Sequence, residues 1–146
     1  MTRTRLLTVM QLLSAAGVTV SGYLFWSKVT SQFFCPVGNC EVVNNSPYAY
    51  IGPFPVSLLG ISYYAFLIVL LQWVKKEGDA SGFAKLLTAG VLGGFLFSLY
   101  LTIVEVAVIQ AICIWCVISF LIVSALTWLE YRRKLHDHVY ENDSAS

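Results

Sequence analysis

Charge is what this chain has least of. Of its 146 residues, 9 are Lys or Arg and 8 are Asp or Glu, 12% in all, where a soluble domain carries about a quarter. The near balance, a formal net charge of +1, offers no basic surface for nucleic acid. Histidine is scarcer still: His136 and His138 both fall in the closing stretch LHDHVYENDSAS, where nothing nearby completes a metal site. Internal repeats, low-complexity tracts and any polar segment long enough for a second, soluble domain are also missing. Hydrophobic residues, 58% of the chain, take the place of all these.

They are gathered into four runs long enough to cross about 30 Å of hydrocarbon: Leu6 to Lys28, Val56 to Val74, Leu86 to Ile109 and Ile112 to Leu129. The expected class is an all-α integral membrane protein, a bundle of four transmembrane helices over residues 1–134, with a polar tail, 135–146, that frays. The N-terminus imitates a secretory signal, with Arg3 and Arg5, an apolar stretch and small residues at Ser14, Ala15 and Ala16. Beyond Ala16 the apolar character continues through GVTVSGYLFW, as a retained span requires. In the third run Gly90 and Gly94 form G-x-x-x-G, with Gly93 beside them, a spacing that lets helix backbones approach closely.

Lys and Arg are retained in cytoplasmic loops, so their positions orient the chain. Arg3 and Arg5 precede the first run, Lys75, Lys76 and Lys85 lie between the second and third, and Arg132, Arg133 and Lys134 follow the fourth. With four crossings all of these share one side, and Lys28 alone lies on the other, beside the loop from Val29 to Pro55. Both termini are then cytoplasmic, and all four cysteines face the opposite, disulfide-permissive side of a bacterial cytoplasmic membrane or an endoplasmic reticulum. The loop's Phe33, Phe34, Tyr48, Tyr50 and Phe54 suit the headgroup region.

The cysteines form two pairs. Cys113 and Cys116 make a C-x-x-C at the start of the last span, where a helix N-terminus favours thiolate, most of all at Cys113. Cys35 and Cys40 lie in CPVGNC, whose Pro36 and Gly38 supply turn geometry, and are expected to be mobile and exposed. An exposed pair and a pair at the lipid boundary make a relay by thiol–disulfide exchange. A purely structural disulfide set and a four-cysteine zinc site are the competing readings of the same residues. Glu105, about one turn from the external end of the third span, is a further candidate, because acids within a span are expensive to keep.

Four spans, a cysteine pair in the first external loop and a C-x-x-C opening the last helix resemble the vitamin K epoxide reductase family, in particular its bacterial disulfide-forming branch. The likeness runs from the first span to about Trp128 and is carried by CEVVNNSPY with Cys40 and Ser46, PVSLLGISYY with Gly60 and Tyr64, and YLTIVEVAVIQAICIWC. It implies a four-helix bundle around a quinone of the menaquinone, ubiquinone, phylloquinone or plastoquinone type, capped by the external loop. It also implies that Cys116 lies closest to the quinone, that Cys113 is its disulfide partner and is attacked by Cys35, and that Cys40 exchanges with a separate, soluble thioredoxin-like protein of the periplasm or lumen. Ser46 matches the family's loop Ser/Thr near the active site; capping a turn before Pro47 is the other reading of it.

Two positions depart from the animal branch. Val56 stands where that branch has Asn, just before the match to Ser57, and Phe120 stands where it has Tyr, so two polar contacts to quinone oxygens are expected to be missing. The expected activity is that of a membrane thiol:quinone oxidoreductase that supplies disulfides, with vitamin K epoxide reduction in the endoplasmic reticulum and a structural tetraspan with inert cysteines as alternatives.

Overall fold

The computed structural model describes residues 2–79 and 81–145. In chain order these form α1 (Arg3–Thr30), a short α2 (Cys40–Asn45), a 3-10 turn (Pro47–Ala49), a hairpin of β1 (Tyr50–Ile51) and β2 (Phe54–Pro55), α3 (Val56–Glu77), α4 (Gly82–Val104) with a π-helical continuation (Glu105–Ile109), and α5 (Ile114–Ala145). Four of the helices are long and apolar enough to cross a membrane. A backbone in lipid finds no water for its N–H and C=O groups, and a helix satisfies both within the segment. Apolar side chains accordingly run all round the helices: Leu12, Leu96 and Leu121 point outward, each more than half exposed, where lipid would cover them.

The bundle is a square in which α1 lies against α3 and α5, and α4 lies against the same two helices. At Gly17 the ring of Tyr64 occupies the space a Cβ would need, which lets α1 and α3 close up. The Gly90–Gly94 motif is used differently from the expected backbone contact. A Cβ at Gly94 would collide with the Tyr63 hydroxyl, which donates a hydrogen bond to the Gly90 carbonyl at 3.2 Å, so the glycines seat an aromatic side chain.

One end of the bundle is closed twice over. Leu7, Met10, Leu67, Leu71, Leu87 and Leu126 are fully buried and pack as one core. Beyond them Arg133, 1% exposed, donates from Nε and Nη2 to the Glu130 carboxylate at 2.9 and 2.6 Å, pairs with Asp79, and lies 3.7 Å from Asp137. Arg3 from α1 pairs with the same Asp79 and donates to the Val74 carbonyl at 2.9 Å, while Thr88 of α4 donates to Glu130 at 2.6 Å. Every long helix therefore sends a group into one ion network.

The network also corrects the expected tail. Instead of fraying after Lys134, the chain continues as helix through Ala145, with the Arg133 to Asp137 pair bridging the turn where fraying would begin.

Candidate redox site and its cavity

The opposite end is built from the long loop and the start of α5. Cys35 and Cys40 are joined in a disulfide with Cα atoms 6.0 Å apart. Between them Gly38, at φ 92°, forms an isolated antiparallel bridge with Cys113, and the Asn39 N–H donates to the Ile112 carbonyl at 2.9 Å. A Cβ at Gly38 would collide with that carbonyl oxygen, so glycine serves both the positive φ and the close approach. Phe34, just before Cys35, is gripped as well: its N–H donates to the Tyr23 hydroxyl at 3.0 Å and its carbonyl accepts from the Trp115 indole at 3.1 Å. Tyr23 and Trp115 themselves pack at 4.6 Å between ring centroids. Lys28, the lone cation of this end in the sequence reading, donates to the Asn44 carbonyl at 2.6 Å near the end of α2 and lies 3.7 Å over the Tyr50 ring. The loop is thus strapped down rather than mobile, while Phe34, Tyr48, Tyr50 and Phe54 remain exposed as expected.

The strapping brings both cysteine pairs into one apolar cluster. Cys40 and Cys113 are buried in it with Leu24, Val43 and Ala111, and Cys35 and Cys116 pack against its edge. Cys40 is 1% exposed, whereas Cys35 is only half-buried. Cys113 and Cys116 are free thiols. With Cys35 and Cys40 joined, two thiols remain, half of what a four-cysteine zinc site takes.

Cys113 is the last residue before α5, and its carbonyl accepts the Val117 N–H at 3.0 Å. A hydrogen bond with the Cys116 thiol, helped by the backbone N–H groups of Cys116 and Trp115, holds the Cys113 thiol below its usual range despite its burial. Upstream, the wide turn of Glu105–Ile109 ends at Gln110, whose φ of 55° reverses the chain toward Cys113.

Below the loop lies a cavity of about 640 Å³. Ser46, Val56 and Cys116 line it, as do Glu105 and the three glycines Gly90, Gly93 and Gly94. Phe120, expected at a cofactor, is not among the lining residues; it stacks on Phe95 at 6.0 Å, within the α4–α5 contact. The Ser46 hydroxyl donates to the Val43 carbonyl at 2.7 Å and so caps the turn before Pro47. Deeper in the bundle Tyr64 reaches from α3 to α5, its hydroxyl 2.8 Å from the Ser119 hydroxyl.

Two lining residues carry buried polar atoms with no hydrogen-bond partner among the described residues, the Asn44 amide nitrogen and the Ser57 hydroxyl. Unpaired buried donors are costly. A mostly apolar cavity with two spare donors near a free thiol fits a quinone, whose ring is apolar and whose two oxygens accept hydrogen bonds. Ser57 was singled out in the sequence only as a marker beside Val56, and Asn44 not at all: an asparagine in a loop helix gives no signal until the helix is placed over a cavity.

A helical bundle made for lipid, with a docked disulfide beside a free dithiol at the mouth of an apolar cavity, belongs to the class of integral-membrane thiol oxidoreductases. The comparison with known families narrows the class. A sequence model of the vitamin K epoxide reductase family matches residues 8–131, most of the chain, and the protein belongs to that family, whose members use quinones. No single curated relative matches the chain.

Proposed function

We propose that the protein is a thiol:quinone oxidoreductase that oxidises a separate thioredoxin-like partner and thereby supplies disulfides. The observation that carries this reading is the Gly38–Cys113 bridge, which holds the loop disulfide against the inner pair at the cavity mouth. Burial sets the order. A partner thiolate attacks the half-exposed Cys35 and releases Cys40 as a thiolate. Cys40, in the cluster with Cys113, attacks the Cys113–Cys116 disulfide and frees Cys116. The partner's second thiol then attacks its bond to Cys35, and the freed Cys35 attacks the Cys40–Cys113 bond and releases Cys113, so that each cycle leaves the partner oxidised, the outer pair joined and the inner pair as a dithiol. The state described here, with Cys35–Cys40 closed and Cys113 and Cys116 free, is the one ready to give up electrons. When bound, a quinone supplies the sink for two electrons and two protons and leaves as the quinol. Asn44 and Ser57 would hold its oxygens, and Cys116, which lines the cavity, would be the thiol nearest to it.

The cysteine end would face the periplasm of a bacterium, both termini the cytoplasm. Impermeant thiol reagents should then label Cys35 in intact, reduced cells. The order of transfer is tested by trapping. Cys40→Ala should accumulate a mixed disulfide between Cys35 and the partner, and Cys35→Ala should accumulate Cys40 bonded to Cys113; the opposite pattern on non-reducing gels and in mass spectra would restore the sequence-based order.

A further inference from the structure

Glu105 is not used by the electron path, and its setting differs from that of every other buried acid described. Glu130, 3% exposed, is gripped by Arg133. Glu105 is 6% exposed, and no cation pairs with it among the described residues. A carboxylate without a counter-ion is expensive to bury, all the more beside lipid. Its hydrogen-bond partner is the C-x-x-C itself: the Cys113 N–H donates to its Oε2 at 3.4 Å, one turn before Cys116. Glu105 also lines the cavity that Cys116 lines. It opens the π-helical segment, and its backbone carbonyl accepts from Gln110 and Ala111, so the wide turn anchors this residue under the C-x-x-C. The Cys116 side chain and the Cys113 backbone bear on it, and its charge bears in turn on both thiols. Lys28, the nearby cation in sequence terms, is spent on Asn44 and Tyr50, and the loop pair is a disulfide that does not titrate.

We propose that Glu105 is the proton carrier of the inner pair: its carboxylate takes the Cys116 thiol proton as the Cys113–Cys116 bond forms and passes that proton to a quinone oxygen in the cavity. The balance closes. Two S–H bonds break and one S–S bond forms, two electrons leave the sulfurs, one proton travels through Glu105 and the other comes from the Cys113 thiol, and Glu105 ends as the carboxylate it began as. This rests on the thiol:quinone reading above and adds to it the residue that moves the proton in a mostly apolar cavity.

Glu105→Gln separates this role from a positioning one, because the amide still accepts from the Cys113 N–H but cannot take a proton. In the full-length protein in lipid nanodiscs, quinone turnover should fall about a hundredfold in Glu105→Gln with KM for quinone within about threefold, and Glu105→Asp should recover part of the loss. Exchange of Cys35–Cys40 with a small dithiol should be unchanged. A second readout removes the quinone: when the inner pair is oxidised in quinone-stripped protein, the proton taken from Cys116 has no quinone oxygen to go to and stays on Glu105, so infrared difference spectra between the dithiol-reduced and oxidised wild type should contain a carboxylic-acid C=O band that is absent from Glu105→Gln. Wild-type turnover in Glu105→Gln, or a wild-type spectrum without that band, overturns the proposal. A wild type that shows the band and reduces no quinone supports the proton exchange with the thiols and overturns the quinone reading instead.

Discussion

The two ends of the bundle treat buried polarity in opposite ways. At the basic end, Arg133 and Glu130 are almost sealed from solvent and saturated with partners from α4, α5 and the loop between α3 and α4. At the cysteine end, Asn44 and Ser57 are buried without a partner, Glu105 has no counter-ion, and the thiols of Cys113 and Cys116 are left unjoined. A satisfied buried network fixes one arrangement of helices, while unsatisfied groups store a demand that a ligand can meet. The first end holds shape, and in the proposed function the second would bind and react.

Substitutions that tell the ends apart sharpen the contrast. The largest effect belongs to Cys116→Ala, which should abolish quinone reduction by every thiol donor, small ones included, while leaving thermal stability in detergent near that of the wild type. A variant that kept turnover would remove the inner pair from the quinone-linked step. Next comes Arg133→Met, which strands Glu130 and leaves Asp79 to Arg3 alone, and should cost about 3–5 kcal/mol of stability, with turnover per folded molecule unchanged. The double variant with Glu130→Leu should recover much of that loss in a denaturation series, and failure to do so would mean that the network stabilises by something other than paired charge. Smaller is Gly38→Ala, whose Cβ meets the Ile112 carbonyl and loosens the loop. Oxidation of a protein partner should drop about tenfold, close to 1.4 kcal/mol, with turnover of a small dithiol that reaches Cys113 directly nearly preserved. Equal losses with both donors would place the damage in the inner pair and blur the division between strap and site.

Much of this was legible in the sequence because lipid restricts the choices. Four apolar runs had to be helices, and the structure departs from them by a few residues at most ends. The cysteine spacing and the likeness carried by CEVVNNSPY and YLTIVEVAVIQAICIWC singled out four cysteines that the structure gathers in one cluster. What the sequence hid is three-dimensional placement. Gly38 reads as a turn residue, yet its φ is only part of the reason for it; the rest is a carbonyl from position 112. The exposure of Cys35 and the burial of Cys40 are set by α2 folding inward, which no five-residue spacing records. Arg133 counts as one more cytoplasmic cation in a charge tally, although its guanidinium is among the most buried groups of the chain.

The Tyr64–Ser119 hydrogen bond and the leucine core behind it have an electrical consequence. Between the cavity and the ion network, Leu7, Met10, Leu67, Leu71, Leu87 and Leu126 leave no solvent-accessible surface. Such a plug is an insulator, so the substrates and protons of the proposed reaction enter and leave through the same face, and no charge is displaced across the bilayer in a turnover. A charge moved across it would feel about 2.3 kcal/mol per 100 mV. The protein should therefore be electroneutral: in liposomes, an imposed potassium diffusion potential should leave its rate unchanged, and a several-fold response to voltage would show that the plug conducts.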